Sequence, residues 1–213
     1  MAAKLRHSPP ALPHPSSRHT PAPSHGGLKL IAVYLSRLCH PSLLATVMPL
    51  LVGAHAAGSA GAAWALIPAI TAGVIPFLDA RRRTGSAGAK SRRQIAAALA
   101  SIVTGLAITG LAVAAHLAPL PVLAVTAALL AISITITAWR RHNISIHAAT
   151  AAGCATIGIA EFAPHPVLGA GLGLLAAAVA WSRIVQGHHT TAQSIAGLAA
   201  GALTGGVLYI AIT

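Results

Sequence analysis

Long apolar runs separated by short polar stretches dominate the chain after about residue 40. Each run is long enough to form a helix that crosses all or most of a bilayer. The runs cover residues 41–57, 61–78, 94–116, 120–139, 145–162, 165–183 and 189–211. Pro49, Pro68 and Pro76 interrupt the first two runs, which leaves tilted, kinked or re-entrant segments open there. The pattern predicts an all-α polytopic membrane bundle of about six to seven transmembrane helices over residues 28–213.

The N-terminal segment has a different pattern. Residues 1–27 are rich in Pro, Ser and His and show no apolar periodicity, which predicts a disordered arm. Residues 28–38 mix apolar and basic positions, which predicts an interfacial helix that leads into the membrane. We expect no cleaved signal peptide, because no apolar segment closely follows the first basic residues.

Composition and charge agree with a membrane protein. Hydrophobic residues make up 55% of the chain and charged residues 8%, too few charges for the surface of a soluble domain. The net charge of +12 would suggest a nucleic-acid partner in a soluble protein. Here all 14 Lys and Arg lie in the arm, in the segment 28–38 or in loops between the apolar runs. If successive runs cross the membrane in alternating directions, all of these loops lie on the same side. The positive-inside rule then predicts a multi-pass protein of the cell membrane with its N-terminus and basic loops in the cytoplasm, and no nucleic-acid partner.

Three polar stretches are expected to meet at that same face, because the runs between them return the chain to it. They are residues 79–93, 140–147 and 182–193. Their Arg, Lys, His, Ser and Thr residues, together with the helix N-termini expected near Ser145 and His189, favour an anion-binding site. The chain contains only two acids, Asp79 and Glu161, which cannot supply the carboxylate cluster that a magnesium site needs. The sequence therefore predicts no metal and no cofactor.

The stretch after residue 181 contains a motif of a known family. Ser182-Arg183, followed after five residues by His189, resembles the third signature, SRxxxxxHxxxD, of the type 2 phosphatidic acid phosphatases. These are lipid phosphatases of the vanadium-haloperoxidase-like superfamily. The Asp of that signature is Gln193 here. On a helix Gln193 shares a face with His189 and can accept its ring N–H, but an amide stabilises an imidazolium less than a carboxylate does.

Two further stretches resemble the other signatures of that family in the expected order. The second signature, PSGH, is matched by residues 144–147, which keep Ser145 and His147. The basic loop 81–93 lies where the first signature, KxxxxxxRP, is expected, although Arg93 is followed by Gln94. The resemblance covers about residues 30–211.

This resemblance implies a metal-independent phosphatase that hydrolyses a lipid phosphate or prenyl diphosphate through a phosphohistidine. His189 would be the nucleophile, oriented by Gln193, and His147 the general acid, roles that suit an imidazole. The phosphate oxygens would be held by a set of polar and basic residues: Arg183, Ser182, Ser145, Lys90, Arg92 and Arg93.

Alternatives remain open from the sequence. Because Gln193 replaces an acid, a protein with weak or no activity that binds anionic lipid headgroups on the same scaffold is the second interpretation. A small-solute transporter is less favoured, since no paired inverted repeat is visible.

The last run also contains a stripe of small residues. Gly197, Gly201 and Gly205 recur at every fourth position, a pattern typical of close helix packing, either within the bundle or between protomers of a homo-oligomer. Gly169 and Gly173 form a second such pair.

Overall fold

A computed structural model describes residues 26–82, 92–163 and 165–213, and these ranges form helices joined by short turns, without a β-strand. The α-helices are α1 (Gly26–Leu38), α2 (Pro41–Pro68), α3 (Ile75–Arg82), α4 (Arg92–Ala114), α5 (Leu120–Ala138), α6 (Ile146–Glu161), α7 (Pro166–Val185), α8 (Thr191–Gly201) and α9 (Val207–Ile212). Two π-helical segments (Ala69–Val74 and Ala202–Gly206) and a short 3-10 turn (Arg140–His142) lie between them. The predicted all-α fold is confirmed. The predicted arm, 1–27, lies outside the described residues apart from Gly26 and Gly27, which begin α1.

The chain is a membrane-spanning helical protein. Across its described ranges, five helical stretches are long and apolar enough to cross a bilayer: Pro41–Asp79, Arg93–Ala114, Leu120–Ala138, Pro166–Val185 and Thr191–Ile212. Large apolar side chains point outward on these stretches, with Val167 85% exposed and Leu111 73% exposed. Such surfaces are stable against lipid and not against water.

The first of these stretches is folded back on itself. Within α2, Ala57 (φ −151°, ψ 31°) and Gly58 (φ 59°, ψ −139°) leave the helical conformation, and the left-handed φ at Gly58 suits glycine. The backbones on either side of this break approach each other at two levels, between Gly53 and Gly61 and between Gly73 and Ser42. Pro41–Asp79 therefore forms two antiparallel arms, which correspond to the predicted runs 41–57 and 61–78.

Helix α6 lies at the centre of the bundle. Nearly all of its residues between Ala148 and Gly158 are buried. It packs against α2, α5, α7, α8 and the segment Ala202–Gly206. Alanine, glycine and threonine predominate on it, and such small side chains let neighbouring helices approach closely. At 16 residues, α6 is shorter than each of the five stretches above.

The glycine stripe of the last run packs on α6 of the same chain. A Cβ atom added to Gly197 or Gly201 would meet backbone atoms of α6, and one added to Gly205 would meet the side chain of Ile132. The close packing predicted for this stripe is thus found within the bundle. Since α6 covers this face, a homo-oligomer would have to form through another surface. Gly173, by contrast, faces open space.

We expect Gly201→Ala to lower the free energy of unfolding by about 1–3 kcal/mol, because the new methyl group meets the backbone carbonyl of Ala149, which cannot move aside cheaply. The matched control is Gly173→Ala, whose methyl group would contact no other atom. This change should leave the free energy of unfolding the same or raise it slightly, because alanine favours a helix more than glycine does. The apparent melting temperature in detergent measures both variants. Equal stability of the two variants would contradict the role given to this contact.

Candidate functional site

Polar residues at the ends of several helices, and in the links before them, assemble at one rim of the bundle. The ring of His147, in the first turn of α6, lies 5.6 Å from the ring of His40, which ends the link between α1 and α2. The ring of His40 also lies 5.7 Å from that of Phe77 on α3. His189, just before α8, contacts the turn that precedes α6 through Asn143. The structure therefore brings the predicted stretches 140–147 and 182–193 together.

The position of His147 follows from the N-cap of α6. Ser145 is the capping residue: its Oγ accepts from the N–H of Ala148 at 3.4 Å, and its own N–H donates to the carbonyl of Gln193 at 3.2 Å. Ser145 is fully buried. Its hydroxyl is turned into the fold, so it holds the start of α6 in place and does not face the rim as predicted.

A capping box fixes the start of α8, immediately after His189. The N–H of Thr190 donates to Oε1 of Gln193 at 3.0 Å, and the N–H of Gln193 donates to Oγ1 of Thr190 at 3.2 Å. This reciprocal pair satisfies backbone donors that the first helical turn leaves open. The side chain of Gln193 thus takes part both in the helix cap and in a hydrogen bond to His189.

The ring of His189 is oriented in part by a backbone carbonyl. Its Nδ1 lies 3.1 Å from the carbonyl oxygen of Asn143. Because a carbonyl oxygen only accepts, Nδ1 carries the proton, and in the neutral ring Nε2 keeps its lone pair. Asn143 has a left-handed φ of 51°, which asparagine tolerates well. The Gln193 side chain, predicted to orient this ring, also forms a hydrogen bond to His189, so Asn143 and Gln193 share that contact.

The electrostatic environment of His189 favours the neutral ring. Burial lowers the pKa of His189 below its usual value, and the positive charge of Arg183 lowers it further. The hydrogen bonds to the Asn143 carbonyl and the Gln193 side chain offset this pKa shift in part. A neutral imidazole with a free Nε2 is the form that can act as a nucleophile.

Arg183, in the last turn of α7, carries the positive charge of the site. Its Nη1 donates to Oγ of Ser36 on α1 at 2.8 Å. Its positive charge contributes to lowering the pKa of both His147 and His189, in each case after burial. The Nε of Arg183 is buried without a hydrogen-bond partner, and within the described ranges only Oγ of Ser194 shares that condition. A buried donor left without a partner destabilises a fold, so this atom marks a place suited to an anion.

Several predicted phosphate ligands are not brought to this place. The hydroxyl of Ser182 is fully buried and donates to the Val179 carbonyl within α7 at 2.7 Å. Arg93 begins α4, which packs on α2, α3, α5 and Ala69–Val74. Lys90 and the side chain of Arg92 lie outside the part of the chain that the structure describes. Of the predicted ligands, the site retains Arg183.

The sequence analysis did not single out four contributors to this rim: His40, Ser36, Asn143 and Gln186, whose amide donates to the Ala32 carbonyl of α1. His40 carried one usable signal, since a histidine directly before Pro41 begins the first run on the same face as His147. The other three act through a hydroxyl, a backbone carbonyl and an amide, groups too common to stand out in a sequence.

The clustered imidazoles do not constitute a metal-ligand set. Within the described ranges, no three His, Cys, Asp or Glu side chains lie close enough together to hold a metal ion. No protein-family model, curated protein or solved structure matches this chain. The functional assignment therefore rests on the geometry of the rim.

We expect the protein to lose stability as the pH falls below about 6.5, the usual pKa of histidine. The pKa of His189 is lowered by burial and by Arg183, so the unfolded chain binds the proton more readily than the folded chain, and acid favours unfolding. Melting curves in detergent between pH 8 and pH 5 measure this slope. His189→Gln should reduce this slope without abolishing it, because the pKa of His147 is also lowered, mainly by burial, and contributes a slope of the same sign. The difference in melting temperature from the native chain at pH 8 separates general destabilisation from titration. An unchanged slope in the variant would contradict the assignment.

Proposed function

We propose that this protein is an integral membrane phosphatase, similar to the type 2 phosphatidic acid phosphatases, that hydrolyses a lipid phosphate or prenyl diphosphate. The observation that carries the proposal is the juxtaposition of His189, His147 and the unpartnered Nε of Arg183 at one rim. Two imidazoles and a guanidinium are the groups that a metal-independent phosphoryl transfer through histidine requires.

In the proposed reaction, Nε2 of His189 attacks phosphorus and forms an N–P bond as the P–O bond to the lipid breaks. His147 gives a proton to the departing lipid oxygen. Water then attacks the phosphohistidine, His147 takes a proton from that water, and the N–P bond breaks to release inorganic phosphate. Burial disfavours a proton on His147, and the positive charges of Arg183 and His40 add to this effect. The negative charge of the bound phosphate acts in the opposite direction and favours the proton for the first step.

Arg183 would stabilise the phosphoryl group during both steps. Charge on the transferring group spreads over its equatorial oxygens, and a planar guanidinium can donate to two of them at once. The partial burial of this arginine strengthens such bonds relative to water.

The proposal includes a finer membrane arrangement. The two arms of Pro41–Asp79, the other four apolar stretches and α6 would make seven crossings, or six if the shorter α6 does not cross fully. Lys29, Arg37 and Arg141 belong to the elements that end or begin at the rim. By the positive-inside rule, these residues support a rim on the cytoplasmic side of the cell membrane, with membrane lipids as partners.

A second candidate function is binding of anionic lipid headgroups without turnover. The observation that favours it is the side chain at position 193, an amide whose oxygen already accepts from Thr190. Such a group stabilises a developing imidazolium less than a carboxylate does. The same basic rim would then hold a phosphate without cleaving it.

The proposed activity is tested by phosphate release from a panel of lipid phosphates and prenyl diphosphates in detergent, with and without a metal chelator. We expect release by the native chain that the chelator does not affect. His189→Ala should reduce it by at least about 10³-fold, because the covalent step is lost. The matched control is His188→Ala, since the neighbouring ring is exposed and should be dispensable.

The outcomes of this assay separate the candidate functions. Loss of release in His188→Ala and not in His189→Ala would contradict the assignment of the nucleophile. No release from any substrate, with inorganic phosphate still bound by the folded protein, would favour the binding function instead.

We expect Gln193→Asp to raise the turnover rate by about tenfold. A carboxylate near His189 favours the imidazolium character that develops as the N–P bond forms, by about one pKa unit or more. An acid in the first turn of α8 also suits the positive end of the helix dipole. The control is Gln193→Asn, because asparagine has the same length as aspartate but carries no charge. A rate in the Asp variant no higher than in the Asn variant would contradict the electrostatic argument.

A further inference from the structure

Helix α1 is attached to the bundle in an unusual way. Its outward side carries large apolar side chains, including Ile31, Tyr34 and Leu38, each more than half exposed. Its fully buried positions are the small residues Ala32 and Ser36, and Leu35 packs partly buried against a core cluster that includes Val179 of α7. Polar bonds to α7 add to this apolar contact.

Two hydrogen bonds join α1 to the last turn of α7. Nη1 of Arg183 donates to Oγ of Ser36 at 2.8 Å, and Nε2 of Gln186 donates to the carbonyl of Ala32 at 3.0 Å. Gln186 is itself held at 3.0 Å by the Ser182 carbonyl, one turn earlier in α7. The position of α1 and the orientation of the Arg183 guanidinium are therefore coupled.

The bond to Ser36 also selects which edge of the guanidinium remains available. Nη1 lies on the side of the group away from the Nε–H, so its bond to Ser36 leaves the edge formed by Nε and Nη2. That edge presents two parallel N–H groups, the geometry that binds two oxygens of one phosphate. Nε, at this edge, is the buried atom without a partner.

We propose that Ser36 is a positioning residue: its hydroxyl holds Nη1 of Arg183 so that the Nε–Nη2 edge faces the phosphate. This inference rests on the anion site of the proposed function and not on the hydrolysis step. Within the described ranges, the bond to Ser36 is the one that fixes the rotation of the Arg183 guanidinium, and Ser36→Ala removes it. The arginine should then bind phosphate as a diffuse charge, much as a lysine does.

Binding of inorganic phosphate to the full chain in detergent, followed by calorimetry, tests the inference with four variants. They are Ser36→Ala, Arg183→Lys, the double variant with both changes, and Ser101→Ala. Ser101 is the matched control, because its hydroxyl also joins two segments, donating to the Thr71 carbonyl at 2.8 Å, but lies on α4 away from the rim. Melting temperatures of Ser36→Ala and Ser101→Ala identify any general loss of stability.

We expect Ser36→Ala to raise the Kd for phosphate about tenfold, the effect of losing one charge-assisted hydrogen bond, while Ser101→Ala leaves it unchanged. In the Arg183→Lys background, the Ser36 change should add little, because no planar edge remains to be oriented. An unchanged Kd in Ser36→Ala, or an equal effect in both backgrounds, would overturn the inference, as would a native chain that binds no phosphate. Phosphate binding with the expected pattern but no lipid hydrolysis would remove the proposed phosphatase activity and leave this inference standing.

Discussion

Backbone contact between α8 and α6 is the constraint on which the rest of the site depends. Gly197, Gly201 and Gly205 meet α6 or its neighbour Ile132 at successive turns, which fixes the two helices side by side and parallel. Both helices begin at the same rim. In this register His147 lies in the first turn of α6, and His189 lies beyond the helix start, beside the Asn143 carbonyl. A larger side chain at Gly197 or Gly201 would meet the backbone of Ser145 or Ala149 and push the two helices apart.

A hydrogen bond between backbone groups also joins the starts of α6 and α8. The N–H of Ser145 donates to the Gln193 carbonyl, so the cap of one helix uses the first turn of the other. In a membrane, backbone groups that lack a partner are costly, and helix ends are where such groups occur. Ser145 and Gln193, which the sequence predicted as site residues, therefore also hold the starts of α6 and α8 in place.

The same requirement explains the distribution of polar groups. The opposite end of the bundle has its own pairs: the Tyr209 hydroxyl donates to Glu161, and the rings of His55 and Phe162 lie 5.0 Å apart. At the rim of the histidines, by contrast, Nε of Arg183 and Oγ of Ser194 remain unpartnered and buried. Within the described residues, these two buried groups without a hydrogen-bond partner lie at the rim that also carries Arg183, His147 and His189. This combination makes the histidine rim, and not the opposite end of the bundle, the place suited to an anion.

Much of the architecture follows from the sequence. The alternation of apolar runs and basic turns predicted the helices, the return of polar stretches to one face and the close packing of the last run. These features depend on hydropathy and residue size, which are local properties of the chain. The number of crossings and the proposed chemistry stay predictions.

The sequence by itself determined that Arg183, His147 and His189 would share a rim, because each lies at the end of an apolar run on the same side. Only the tertiary structure decided how they are used. The hydroxyls of Ser145 and Ser182 turn inward, since each has a backbone partner within reach. His40, Ser36 and the Asn143 carbonyl enter the site instead. Their roles depend on the register between helices, a long-range property that no motif encodes.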